Sequence, residues 1–270
     1  MVQRDFESLI AEAEAQPFVG WDFSWLRDQG RMVTEPLPWD YDKLVLKHAR
    51  QSPDMLDIDT GGGEWLSRLQ HRPLLTIATE SYPKNVTVAA GRLKPLNVSV
   101  LHLAPAPDNN RQSDDEKQGW LPFREGAFHV VSNRHSSYTP SEVARILAPS
   151  GWFITEQLGP PRDSEFFSLL QLQAPESKFE TWTLGLAQRQ IERGGLRVVG
   201  SGIGEELVSF RDVGAFAWYL KAIPWTVPGF SIRSFHDELK ALHSQFSTKG
   251  MLGIRLPGFW FEAIKPSVRT

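Results

Sequence analysis

A glycine-rich turn leaving a short apolar strand, Leu56-Asp-Ile-Asp-Thr-Gly-Gly-Gly-Glu64, constrains this chain more than any other feature. Successive glycines let a backbone take positive φ and approach a ligand closely. Around the turn, strand, turn and helix alternate. Residues 55–58 read as a first strand, 64–70 as a helix and 74–78 as a second strand, after which Val86, Ala89, Ala90 and Leu93 make a helical stripe. Further strands are expected at 98–103, 128–131 and 151–156. The helix before the last of them opens with Thr139-Pro-Ser-Glu142, which has the form of a capping box. Such alternation predicts an α/β fold, a mostly parallel sheet with helices on both faces.

The flanks read differently, within a single domain. Phe6, Leu9, Ile10 and Ala13 lie on one face of a helix, a Trp- and Pro-rich stretch follows, and 41–51 is a second helix; residues 1–50 form an N-terminal cap on a core at 51–160. In the remainder, 161–270, strands are expected at 196–199, 205–210 and 259–264, with cover helices inserted at about 211–247. Residues 105–119 lack apolar periodicity and read as a long loop, a candidate lid.

Composition removes whole classes of chemistry. With no cysteine there is no disulfide scaffold, thiolate zinc site, iron–sulfur cluster or cysteine nucleophile. The seven histidines show no ligand spacing, so no metal is expected. A net charge of −3 argues against nucleic acid as partner. Asp5, Glu7, Glu12 and Glu14 near the start do not suit a signal peptide, and no apolar run reaches the roughly 18 residues of a membrane span; a cytoplasmic protein is expected.

The turn itself is not a phosphate binder. Counting from Gly61, the sixth position of a dinucleotide fingerprint is Leu66, and Glu64 stands where a phosphate loop needs lysine. A nucleoside ligand without phosphates remains. Glu80, at the end of the second strand, suits an acid gripping ribose hydroxyls; the alternative is a solvated strand-end carboxylate.

Three segments then come in order over residues 54–156: Asp57 to Glu64, Leu121-Pro-Phe-Arg-Glu-Gly-Ala-Phe-His-Val-Val131, and Glu142-Val-Ala-Arg-Ile-Leu-Ala-Pro-Ser-Gly151. In these the chain resembles class I S-adenosylmethionine-dependent methyltransferases, in the branch called methyltransferase type 11. The resemblance implies a Rossmann-like, seven-stranded sheet and S-adenosylmethionine as cofactor. It implies that Asp57 orients the turn, that Thr60, Gly61, Gly62 and Gly63 wrap the methionine part and ribose, and that Glu80 holds the ribose with Ser81 beside it. Asn133, Arg134 and His135 would lie by the sulfonium. Three departures stand out. Asp59 replaces the family's first glycine, where its carboxylate would face the sulfonium or amino group; His129 replaces an aspartate; and the 105–119 insertion displaces a Gly-Asp pair. The adenine contact stays open among Asp114, Asp115 and Glu116.

Methyl transfer is in-line displacement at an activated carbon, so positioning and water exclusion do much of the work. An acceptor that arrives protonated also needs a base, for which His135 is the first candidate and Tyr138 the second. The bland alternative for His135 is a loop hydrogen bond; His129, inside a strand, reads as structural. Trp21, Trp25, Trp39, Tyr41, Tyr219 and Trp225 would wall an apolar or aromatic small-molecule substrate, or simply pack a core. Arg31 would hold a substrate carboxylate or be a solvated charge. The expected function is methyl transfer to O or N of a small molecule, in secondary metabolism. Its rivals are a degenerate pocket that binds cofactor without transfer, serving cyclisation or regulation, and, ranked lower, an RNA methyltransferase. The oligomeric state stays open.

Overall fold

The computed structural model describes residues 4–110, 119–161, 163–176 and 180–267. Among the described residues, eight strands form one sheet: β1 (Met32–Glu35), β2 (Asp54–Ile58), β3 (Leu75–Glu80), β4 (Ser99–His102), β5 (Phe128–Arg134), β6 (Leu147–Leu158), β7 (Arg197–Phe210) and β8 (Leu252–Ile264). Their order across the sheet is β1-β7-β8-β6-β5-β2-β3-β4. Pairings from β4 to β6 are parallel, whereas β8 runs antiparallel to β6 and β7, and β1 antiparallel to β7.

The mostly parallel sheet is the expected one with a strand added. Met32-Val-Thr-Glu35, read from sequence as cap, forms the edge. The segments expected as two strands at 196–199 and 205–210 are one continuous strand, β7. Gly200, Gly202 and Gly204 hid it, because glycine has no strand propensity of its own. Here Trp260 packs over Gly202, and Pro38 and Trp39 over Gly204, closer than a β-carbon would allow.

The helices are α1 (Phe6–Ala15), α2 (Ser24–Arg27), α3 (Tyr41–Ala49), α4 (Glu64–Arg68), α5 (Pro83–Leu93), α6 (Pro140–Ile146), α7 (Ser164–Leu169), α8 (Leu184–Arg193), α9 (Val213–Ala222) and α10 (His236–Lys249). Strand alternation sends neighbouring side chains to opposite faces. Met55, Val130 and Ile154 meet Val45, Leu66 and Ala89 of α3, α4 and α5. Leu56, Val131 and Phe153 meet Val143 and Ile191 of α6 and α8. A third core joins Phe210 and Ile254 to α1, α7, α9 and α10. Asp5, Asp40 and Asp212 cap α1, α3 and α9 by accepting from backbone N–H groups. The capping box expected at Thr139 does not form. Its hydroxyl makes no cap bond, and Glu142 instead accepts from Leu121 N at 2.9 Å and pairs with Arg145 at 2.8 Å.

The N-terminal cap and the late helical insertion, distant in sequence, are one packed layer. Lys221 Nζ donates to the carbonyls of Ala13 (2.6 Å) and Gln16 (2.7 Å) at the end of α1, and Trp218 Nε1 donates to Gln16 O. Among the described residues no helix is long and apolar enough to cross a membrane. The chain leaves β2 toward β3 on one side and later returns to β5 on the other, so a crevice opens at the carboxyl ends of β2 and β5.

Candidate cofactor and acceptor site

At the end of β2 the backbone turns through left-handed conformations, with φ of +54° at Asp59, +65° at Gly61 and +76° at Gly63. Aspartate is among the few side chains that tolerate this region. Asp59 N donates to Thr79 Oγ1 at 3.1 Å, and its carboxylate accepts from the Ser136 hydroxyl. Gly61 N donates to Glu80 Oε2 and Tyr82 N to Glu80 Oε1, both at 2.7 Å. Glu80 thus braces the turn with one lone pair on each oxygen and keeps the others for a ligand. Gly62 and Gly63 shape the turn from behind rather than walling the crevice. Arg92 donates to Gly62 O and to the Glu64 carboxylate, and Gly63 sits against Leu93 where a β-carbon would clash.

Three carboxylates crowd this turn. Burial, reinforced by the Asp59 charge, pushes Asp57 up to about 6 despite the hydroxyl of Ser132 donating to it at 2.6 Å. Burial likewise raises Asp59, and it raises Glu80 with help from the Asp59 charge. Each would ionise more readily beside a cation. That chemistry, with the free lone pairs of Glu80, fits S-adenosylmethionine, whose sulfonium and amino groups are cationic and whose ribose offers two hydroxyls.

A cavity of about 530 Å³ runs from this turn, within the range of ligand clefts. Asp57, Asp59, Thr60, Gly61, Glu80 and Ser81 wall its polar end, with Trp21 over it. Phe23, Met32, Val208, Tyr219, Trp225 and Leu256 wall an apolar chamber of the same cavity, whose lining also includes Arg27, Thr34, Asp163 and Glu206. Trp21 and Trp225 stack face to face, ring centroids 5.8 Å apart. The turn after β5 lines the cavity as well. There His135 takes φ +58°, a conformation costly for its side chain and held by its N–H donating to Glu156 O at 2.8 Å. Its Nε2 lies 3.3 Å from Glu156 Oε1. Arg134 Nε donates to the same oxygen at 2.6 Å, and Trp39 Nε1 to Oε2 at 2.7 Å. Burial opposes ionisation of Glu156, but the His135 hydrogen bond and the Arg134 charge overcome it and hold its pKa at about 2.

The crevice therefore gathers Asp57, Asp59, Thr60, Gly61, Glu80, Ser81, Arg134, His135, Trp21, Tyr219 and Trp225 from the residues singled out in sequence. The rest stand elsewhere. Tyr138 is buried against Phe153 and Trp182, its hydroxyl unpartnered among the described residues and its ionisation suppressed by burial, so it is no base for the chamber. Asn133 is buried between strands, accepting from Gln157 Nε2 at 2.7 Å. Tyr41 donates to Asn133 O at 3.0 Å beneath the Arg134 guanidinium, and Trp39 serves Glu156. Trp25 packs on Trp218 and Arg31. Arg31 is neither a substrate clamp nor solvated: it is buried, with Asp212 at 2.7 and 2.8 Å and Glu12 at 3.0 Å. Asp114, Asp115 and Glu116 lie outside the described residues. Sequence reasoning missed Glu156, Glu206 and the walls Phe23, Met32 and Val208. Glu156 closes the segment expected as a strand at 151–156, much as Glu80 closes β3, and that is the signal that could have found it; in the fold β6 continues to Leu158.

No family model and no curated protein sequence matches the chain. Solved structures do. A Bacillus halodurans C-125 protein assigned as a methyltransferase aligns over 84% of this chain and 99% of its own, at 16% identity and a TM-score of 0.55. The YcgJ protein of Bacillus subtilis aligns over 84% of this chain and 98% of its own, at 16% identity and a TM-score of 0.54. At such identities the likeness establishes the fold alone, the mixed α/β fold that the chain shares with these two structures.

Proposed function

We propose that this chain is an S-adenosylmethionine-dependent methyltransferase acting on O or N of a small apolar or aromatic acceptor. The observation that carries the reading is one continuous cavity, joining the carboxylate-lined glycine turn to an aromatic chamber past the His135–Glu156 pair. S-adenosylmethionine, held at the turn by Glu80, Gly61, Asp57 and Asp59, would supply a sulfonium-activated methyl group to the acceptor's lone pair.

The protein's residues supply the setting. Glu80 and the Gly61 backbone hold the ribose end, and Asp57 and Asp59 offer charge to the cationic end. Trp21 and Trp225 exclude water from above. Glu156, charged at neutral pH, fixes the proton of His135 on Nε2, which leaves Nδ1 to accept the proton the acceptor gives up. Arg134 and Trp39 hold Glu156 in place for that task.

The test is calorimetry with S-adenosylhomocysteine, followed by transfer of labelled methyl to a panel of phenols and amines. His135→Gln should lower kcat by roughly 100-fold for acceptors needing deprotonation, with cofactor affinity unchanged. Absence of S-adenosylhomocysteine binding overturns the cofactor reading, and an unchanged kcat removes His135 from its role.

A further inference from the structure

The chamber contains a charge that methyl transfer does not by itself call for. Glu206 lies on β7 two residues beyond Gly204 and two before Val208, so strand alternation puts it on the chamber side, where it is one of the cavity walls. In register it stands opposite Leu256, another wall residue. Its carboxylate makes no hydrogen bond and no ion pair with any described residue. Burial disfavours its charge; His135 and Arg134 favour it from a distance, and Glu156 opposes it. Of these neighbours, Arg134 already donates to Glu156 at 2.6 Å, and Glu156 also faces His135. Arg134 and His135 are thus both engaged with Glu156, and Arg27, which also lines the cavity, is not among the groups acting on Glu206, so the Glu206 carboxylate has no cation of its own among the walls Phe23, Met32, Tyr219 and Trp225.

An ionised carboxylate among apolar walls is costly without a partner. An ammonium group on the ligand would cancel that charge, and faces of Trp and Tyr rings attract such a cation further. A ligand carboxylate would be repelled, and a neutral ligand would leave the charge as it is. We infer that Glu206 is the anchor for a protonated amine, so that the chamber selects cationic amines with apolar or aromatic bodies over their neutral and anionic analogues. The inference rests on the reading of this chamber as the acceptor site of a methyltransferase.

Three ring-matched probes test it: tryptamine, tryptophol and indole-3-acetate, each titrated calorimetrically into the full chain saturated with S-adenosylhomocysteine. Tryptamine should bind about tenfold or more tighter than tryptophol, the size expected of one charge-assisted contact, with indole-3-acetate weakest. Glu206→Gln should abolish the amine's advantage and leave tryptophol unchanged, with S-adenosylhomocysteine affinity reporting that the variant is folded. Equal affinities, no binding by any probe, or an advantage that survives Glu206→Gln overturns the inference. If S-adenosylhomocysteine itself does not bind, the proposed reaction falls, and the titrations repeated without it decide the amine preference separately.

Discussion

Replacing Glu156 by glutamine should separate the charge of this side chain from its shape. In the folded protein its pKa lies at about 2, against an ordinary value of 4.5. A difference of that size corresponds to about 3 kcal/mol of folding stability at neutral pH, and the carboxylate is almost wholly buried, so solvent screening takes little from it. Because the folded value is depressed, the stabilisation is complete above pH 4.5 and is lost as pH falls through about 2. Glutamine keeps the shape and cannot ionise. The gap in unfolding free energy between wild type and Glu156→Gln should therefore be about 3 kcal/mol at pH 7 and shrink to about 1 kcal/mol at pH 3. Urea unfolding at the two pH values measures it directly.

The same variant has a second readout. Glutamine offers Arg134 and His135 no charge, so the imidazole loses the carboxylate that fixes its proton. We expect kcat to fall by roughly 10–100-fold, with the affinity for S-adenosylhomocysteine held. A gap of equal size at both pH values would refute the reasoning, because it would trace the loss to packing rather than charge. So would full activity in a variant that had lost the stability.

Asp59→Gly tests whether the turn is degenerate: a working loop should keep or lose cofactor affinity, by up to about tenfold for one charge-assisted contact, and a gain in calorimetry would speak for a damaged pocket. Asp57, raised to about 6, destabilises the folded chain as pH climbs from 3.8 through that value. A cation needs it ionised, so S-adenosylmethionine affinity should drop about tenfold between pH 7.5 and pH 5; a flat profile in Asp57→Asn and a sloped one in wild type is the expected pair, and two identical profiles would remove Asp57 from the site. Arg31→Met strands Asp212 and Glu12 and should cost about 3–5 kcal/mol in urea unfolding without changing S-adenosylhomocysteine affinity. Weaker ligand binding at unchanged stability would return Arg31 to the site.

The core was legible because its signals are local. A strand followed by Asp57 and three glycines, an acid ending the next strand, and alternation of strands and helices each occupy a short window, and the sheet they build carries the cavity's polar end. The chamber was not legible, because its walls come from distant parts of the chain. Phe23, Tyr219 and Leu256 meet only through the packing of α1 and α9 on the β7–β8 pair. Arg31 looked like a free cation in a polar stretch, since nothing near it in sequence announces Asp212, 181 residues away. The tryptophans divided for the same reason. Trp21 and Trp225 reached the cavity, while Trp25 and Trp39 found partners in Arg31 and Glu156 that only the fold brings near.

Location also sorts the departures from the family pattern. His129 begins β5 beside the start of β2, where its ring lies 3.0 Å from the Asp54 carboxylate and its backbone N–H donates to the same side chain. That end of the sheet is opposite the crevice, so a histidine in place of aspartate there changes a scaffold contact with Asp54 and leaves the chemistry alone. Part of the 105–119 insertion lies outside the described residues, but Asn109 within it has its side chain bound to both the N–H and the carbonyl of Tyr138. Those bonds tie the insertion to the helix that opens after the His135 turn. Asp108, Asn109 and Asn110 of the insertion line the cavity, and so does Asp59 at the turn itself. A worn-out loop would leave its side chain without partners in a strained backbone; here the left-handed φ is one aspartate accepts, and the Ser136 hydroxyl links its carboxylate to the residue next to His135. The substitution therefore couples the turn to the candidate base, which is why Asp59→Gly should lower kcat even where cofactor affinity is kept.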